Sequence, residues 1–70
     1  MTDSEKAKWL RKIYKPGVKV RLIYMKGEPQ MPKGLEGEVD SVDDVGQIHI
    51  NWSNGSTLAL NTAVDEFEII

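Results

Sequence analysis

The apolar residues of this chain change their spacing once, at Pro16-Gly17, and that change dictates a helix followed by a run of strands. Upstream, Ala7, Trp9, Leu10, Ile13 and Tyr14 fall within one arc of about 160° when wound at helical pitch. Arg11, Lys15, Lys8 and Lys12 occupy the opposite arc, and Lys6 lies near the middle of the apolar one. Thr2 and Glu5 have capping-box spacing, with Asp3 and Ser4 as alternative caps. The helix is therefore predicted to start here and run to about Tyr14, stopped by Pro16-Gly17.

Downstream the period is two. Val18, Val20, Leu22 and Tyr24 alternate with Lys19, Arg21 and Ile23 in a first strand. Residues 25–34 hold two prolines and two glycines and read as a loop. Leu35, Gly37 and Val39 alternate with Glu36, Glu38 and Asp40 in a second strand, and Ser41-Val42 breaks the parity as a bulge would. Asp43-Asp44-Val45-Gly46 is a tight turn. Ile48, Ile50 and Trp52 alternate with Gln47, His49 and Asn51 in a third strand. Asn54-Gly55 signals a hairpin into a fourth strand carrying Leu58 and Leu60. Residues 61–65 read as a short helical turn, and Phe67 and Ile69 alternate with Glu66 and Glu68 in a fifth strand. A long first loop, tight hairpins and a one-turn connector are the connection order of SH3-like barrels. The expected fold is mainly β: a five-stranded SH3-like small β-barrel over residues 17–70, preceded by a basic amphipathic helix over residues 1–16. Closure would remove exposed strand edges.

Seventy residues support one hydrophobic core. There is no cysteine, so neither disulfides nor a thiolate metal site is available, and the single His49 cannot build a histidine site alone. No metal or cofactor is expected, and His49 reads as a solvated surface residue. Stability must rest on a dry core, and the expected state is a monomer or a weak homo-oligomer. No apolar run approaches the roughly 20 residues of a spanning helix, and the start lacks a signal-peptide pattern. The expectation is a cytoplasmic chain with no membrane partner.

Charge is divided along the chain. Residues 1–33 carry nine bases and three acids, whereas residues 34–70 carry eight acids and no base. Pairing of the halves across strands accounts for much of this. If the first strand pairs with the second and fifth, as in SH3-like folds, Lys19 and Arg21 would face Glu36, Glu38, Asp40, Glu66 and Glu68, at about 0.2–1 kcal/mol per pair. The helix bases are not explained that way. Their bland reading is a solvated face; their functional reading is phosphate contact. No catalytic constellation emerges. Asp40, Asp43 and Asp44 lack calcium-loop spacing, and the outward strand acids have no pocket to desolvate one of them. The chain is expected not to be an enzyme.

Several segments together resemble a family of small bacterial and phage-borne domains catalogued as a domain of unknown function. They are Pro32-Lys33-Gly34-Leu35-Glu36-Gly37-Glu38-Val39, Val42-Asp43-Asp44, Ile48-His49-Ile50-Asn51-Trp52, Asn54-Gly55-Ser56-Thr57-Leu58-Ala59-Leu60 and Asp65-Glu66-Phe67. The resemblance implies an SH3-like barrel in a bacterial or phage setting and carries no activity or site. Trp52-Ser53-Asn54-Gly55-Ser56 is also similar to the SH3-like repeats of Mind bomb-type ubiquitin ligases, which bind peptides; the aromatic positions of their groove are not evident here. Residues 34–39 are similar to the glycine-turned KOW motif, but Glu36, Glu38 and Asp40 replace its basic neighbours.

The function expected is non-catalytic binding of an unidentified protein or peptide. Its candidate contacts are Tyr24, Met25, Met31 and Pro32, with Trp52 lining the same end although its parity also suits the core. The methionines have an alternative, folding back to seal the open end of the barrel. The competing function is an accessory nucleic-acid-binding domain that uses Lys8, Arg11, Lys12 and Lys15 on phosphates. A third reading is self-association through Trp9 and Leu10 should the helix not dock.

Overall fold

In the computed structural model, which describes residues 2–70, the predicted helix forms α1 (Asp3–Ile13). Its capping box closes as expected. The Glu5 N–H donates to Thr2 Oγ1 at 3.2 Å, and the Thr2 N–H donates to the Glu5 carboxylate at 3.4 Å. Asp3 and Glu5 in the first turn and Arg11 and Lys12 in the last complement the helix dipole. Gly17, at φ +94°, turns the chain into the sheet.

The strands are β1 (Lys19–Tyr24), β2 (Glu36–Val42), β3 (Gln47–Trp52), β4 (Leu60–Asn61) and β5 (Glu66–Ile69). They pair antiparallel in the order β4-β3-β2-β1-β5. Val20, Leu22, Val39, Ile48, Ile50, Trp52 and Leu60 form the core, and Ala7 and Leu10 of α1 complete it. Helix and sheet therefore share one interior. On the outer face Arg21 lies 3.5 Å from Glu36 and 3.3 Å from Glu68, the contact expected once β1 lies between β2 and β5. The bulge in β2 falls between Val39 and Ser41.

The sheet is not closed into a barrel. Among the described residues no ladder joins β4 to β5, and β4 is only two residues long. The segment expected to lengthen it finds other partners. The Trp52 N–H donates to Ser56 O, Asn54 Oδ1 accepts from the Ser56 N–H, and Ser56 Oγ accepts from the Leu58 N–H. The Trp52 indole N–H then takes Leu58 O at 2.8 Å. Backbone groups satisfied locally have no need of a ladder. Residues 61–65 form the expected single turn, Asn61 O accepting the Val64 N–H at 3.1 Å and the Asp65 N–H at 2.8 Å. Asp65 holds this connector to the loop after β1, its carboxylate accepting the Asn61 N–H at 2.8 Å and the Lys26 N–H at 2.9 Å.

The β2–β3 turn is organised by Asp43. One carboxylate oxygen accepts the N–H groups of Val45 at 3.1 Å and Gln47 at 2.9 Å; the other meets His49 Nε2 at 2.9 Å. His49, expected to be a bystander, is half-buried as part of this turn. The hydrogen bond to His49, followed by the backbone donors, holds the Asp43 carboxyl below its ordinary value of 3.8. A lowered carboxyl stabilises the fold above its unfolded value and stops doing so as pH falls through the folded one. Asp43→Ala is therefore expected to cost about 1–2 kcal/mol at neutral pH. The gap to the native chain should close below about pH 3.8. Urea denaturation across a pH series measures this, and a gap that persists into acid would contradict it.

Candidate functional site

Met25 and Met31 do not form an exposed tip. They are only 5% and 7% exposed and join the core, so the structure decides for the folded-back alternative. The loop is drawn inward by successive turns. The Glu28 N–H donates to Met25 O, the Met31 N–H to Glu28 O, and the Leu35 N–H to Pro32 O. Trp52 is buried as well. Of the expected contact set, only Tyr24 and Pro32 are exposed. That set is not one surface, because its apolar members are consumed by the interior.

The basic helical face is divided too. Arg11 reaches across to the sheet, Nε donating to Val42 O at 3.0 Å and Nη2 pairing with Asp44 at 2.9 Å. It clamps α1 in place. Lys8, Lys12 and Lys15 remain exposed, with no ion pair among the described residues.

The Arg11 clamp has a consequence for the apolar arc. Arg11 lies beside Ala7 on the helix surface, so drawing it onto Val42 seats the helix on Ala7 and Leu10. Trp9 and Ile13, at the far edge of the arc, are swung outward, and Trp9 is 55% exposed. Its indole forms one wall of a groove of about 690 Å³. Leu10 and Tyr14 continue that wall, and Ile23 of β1 and Phe67 of β5 form the other. The Tyr14 and Phe67 rings meet at 5.5 Å between centroids, tilted by 54°. Lys6, Thr62, Asp65 and Glu66 contribute the polar rim.

Ile23 reaches the groove through an irregularity. Leu22 pairs with Phe67 and Tyr24 with Glu66, so Ile23 is the extra residue of a bulge. The bulge also turns Tyr24, which its parity placed inside, out to 54% exposure. Sequence reasoning missed this site. The available signal was Ile23 itself, an apolar residue at an outward position between Arg21 and the loop.

The volume is in the usual range for ligand-sized recesses, and the walls are apolar. Both Asp65 oxygens are taken by backbone donors, so among the described residues the rim charges without an ion pair are Lys6 and Glu66. Such a recess suits apolar side chains of a partner, with charges at its border to orient them. Among the described residues no cluster of His, Cys, Asp or Glu could hold a metal ion, and no helix is long and apolar enough to cross a membrane.

A family model described as "Domain of unknown function (DUF4314)" matches residues 3–70, and the chain belongs to that family. No curated protein and no solved structure gives a significant match.

Proposed function

We propose that this DUF4314 chain is a non-catalytic binding module, working in a bacterial or phage-infected cytoplasm, that takes apolar side chains of a protein partner into the groove between α1 and β5. The observation that carries the reading is Trp9, an indole 55% exposed against the half-buried Tyr14 and Phe67. A small domain with few large apolar residues gains nothing in stability by leaving one outside. Exposed aromatic anchors in a recess are the residues that dominate protein interfaces. The strand order, with β1 between β2 and β5, supports an SH3-like plan left open at its last seam. The competing nucleic-acid reading loses Arg11 to Asp44, keeps Lys8, Lys12 and Lys15, and sets them beside an acidic sheet.

Selection of random peptides displayed on phage, run in parallel on the native chain and on Trp9→Lys, tests the reading. Sequences with apolar anchors should enrich on the native chain and lose at least about 2 kcal/mol of affinity on the variant. Equal enrichment on both, or none on either, would overturn it. So would a mixed-sequence oligonucleotide that shifts the amides of Lys8, Lys12 and Lys15 at low salt and releases them at high salt.

A further inference from the structure

β5 ends the sheet, and among the described residues no strand pairs with its other edge. Which of its backbone groups are free follows from the ladder. The Leu22 N–H donates to Leu35 O and Leu22 O accepts from the Gly34 N–H, so both groups of Leu22 point away from β5. Phe67, opposite Leu22, is therefore not hydrogen-bonded to it. The Ile70 N–H donates to Lys19 O at 3.0 Å, which sets the alternation for the rest of the strand. Phe67 and Ile69 direct their N–H and C=O groups to the open edge. The same Phe67 lines the groove. An unpaired strand edge and an apolar recess thus share a residue, the arrangement that strand addition exploits: main-chain bonds supply affinity and alternate side chains supply selectivity.

The charges on β5 say what fits. Glu66 and Glu68 lie on its outer face, joined by Glu36 across the sheet, and Arg21 is the one base placed among them by the ion pairs. A second copy of β5, added antiparallel with Phe67 opposite Phe67 or opposite Ile69, would set glutamate against glutamate. Like charges directly opposite are destabilising. The acids thus deter self-pairing, as edge charges do, while favouring a strand of opposite charge.

We propose that the free edge of β5 receives an extended segment of a partner protein in which apolar and basic residues alternate. Its apolar side chain beside Phe67 enters the groove, and its basic side chains lie over Glu66 and Glu68. This rests on the groove reading above and adds the form and charge of the partner.

The test is an amide NMR titration of the full labelled chain with capped peptides of alternating lysine and valine. Alternating glutamate and valine, and a lysine–valine peptide with its residues scrambled, serve as comparisons. The alternating basic peptide should shift the Phe67 and Ile69 amides, slow their hydrogen exchange, and move the Trp9 indole. The other two should do neither. Glu66→Lys, at an exposed position, should weaken the basic peptide about five-fold. Movement of Trp9 and Ile23 alone, with the edge amides unchanged, would overturn strand addition while leaving the groove reading intact. An equal response to the scrambled or acidic peptide would overturn it as well. No response at all would also overturn it, and the display selection would then judge the groove on its own.

Discussion

Replacing Gly37 with valine is expected to leave a chain that does not fold. Gly37 lies in β2 between Val20 on one side and Trp52 on the other. A Cβ built there would fall 2.5 Å from Ile50 Cγ2, 2.8 Å from Trp52 Cε3 and 3.2 Å from Asn51 O. The requirement is one of space, since Gly37 is not among the glycines with positive φ. Both side chains are buried, so neither can step aside into water. Overpacking by a single methyl typically costs about 1–3 kcal/mol, and here two core residues must move together. Small cysteine-free domains hold only a few kcal/mol in reserve, about 3–5. Gly37→Ala should therefore fold with a urea midpoint sharply lowered, and Gly37→Val should lose its near-ultraviolet circular dichroism altogether. An unchanged midpoint for the alanine variant would show that the Trp52 ring has another place to go.

Trp52→Ala should lose about 3–5 kcal/mol from the cavity alone. It also removes the donor to Leu58 O, adding about 1 kcal/mol and freeing residues 56–59 from the sheet. Because the alanine variant is close to the limit of folding, Trp52→Phe separates the two contributions. It keeps a buried aromatic ring but loses the hydrogen bond and a little ring volume, so a cost of about 2–3 kcal/mol is expected, well below that of the alanine variant. Amide exchange at Leu60 and Asn61 should accelerate in the phenylalanine variant more than at Ile48, if the indole bond is what holds β4 in place. Uniform acceleration across β3 and β4 would place the effect in core packing instead.

Much of the architecture was readable along the chain because its causes are local. The capping box needs only Thr2 and Glu5, three positions apart. The strand alternation of residues 47–52 and 66–69 needs only that one face be buried, whereas the contact of Arg21 with Glu36 and Glu68 followed only once the strand order was assumed. The β4 assignment is right at Leu60 but too long, for an equally physical reason. Asn54, Ser56 and the Trp52 indole compete for backbone groups that a strand would have used, and alternation of Leu58 with Leu60 does not register that competition.

The candidate site was legible only in pieces. Trp9, Leu10, Tyr14 and Phe67 stood out as apolar or aromatic, and pattern alone assigned them to the interior. Met25 and Met31 were readable equally as an exposed tip or as folded back, and they are interior. Spacing reports which residues share a face. It does not report how far a neighbouring element covers that face.

The sequence by itself determined the helix and its cap, the strands of the central sheet, and most of their inward and outward residues, with Tyr24 the exception. Each of these follows from periodicity over a few residues. Only the tertiary structure decided that α1 rotates onto Ala7 and Leu10, that the bulge at Ile23 turns an apolar residue toward it, and that β5, among the described residues, keeps a free edge beside the groove. Those outcomes depend on contacts between residues far apart in the chain, such as Arg11 with Val42 and Leu22 with Phe67. A core this small cannot cover every apolar residue that the pattern offers it.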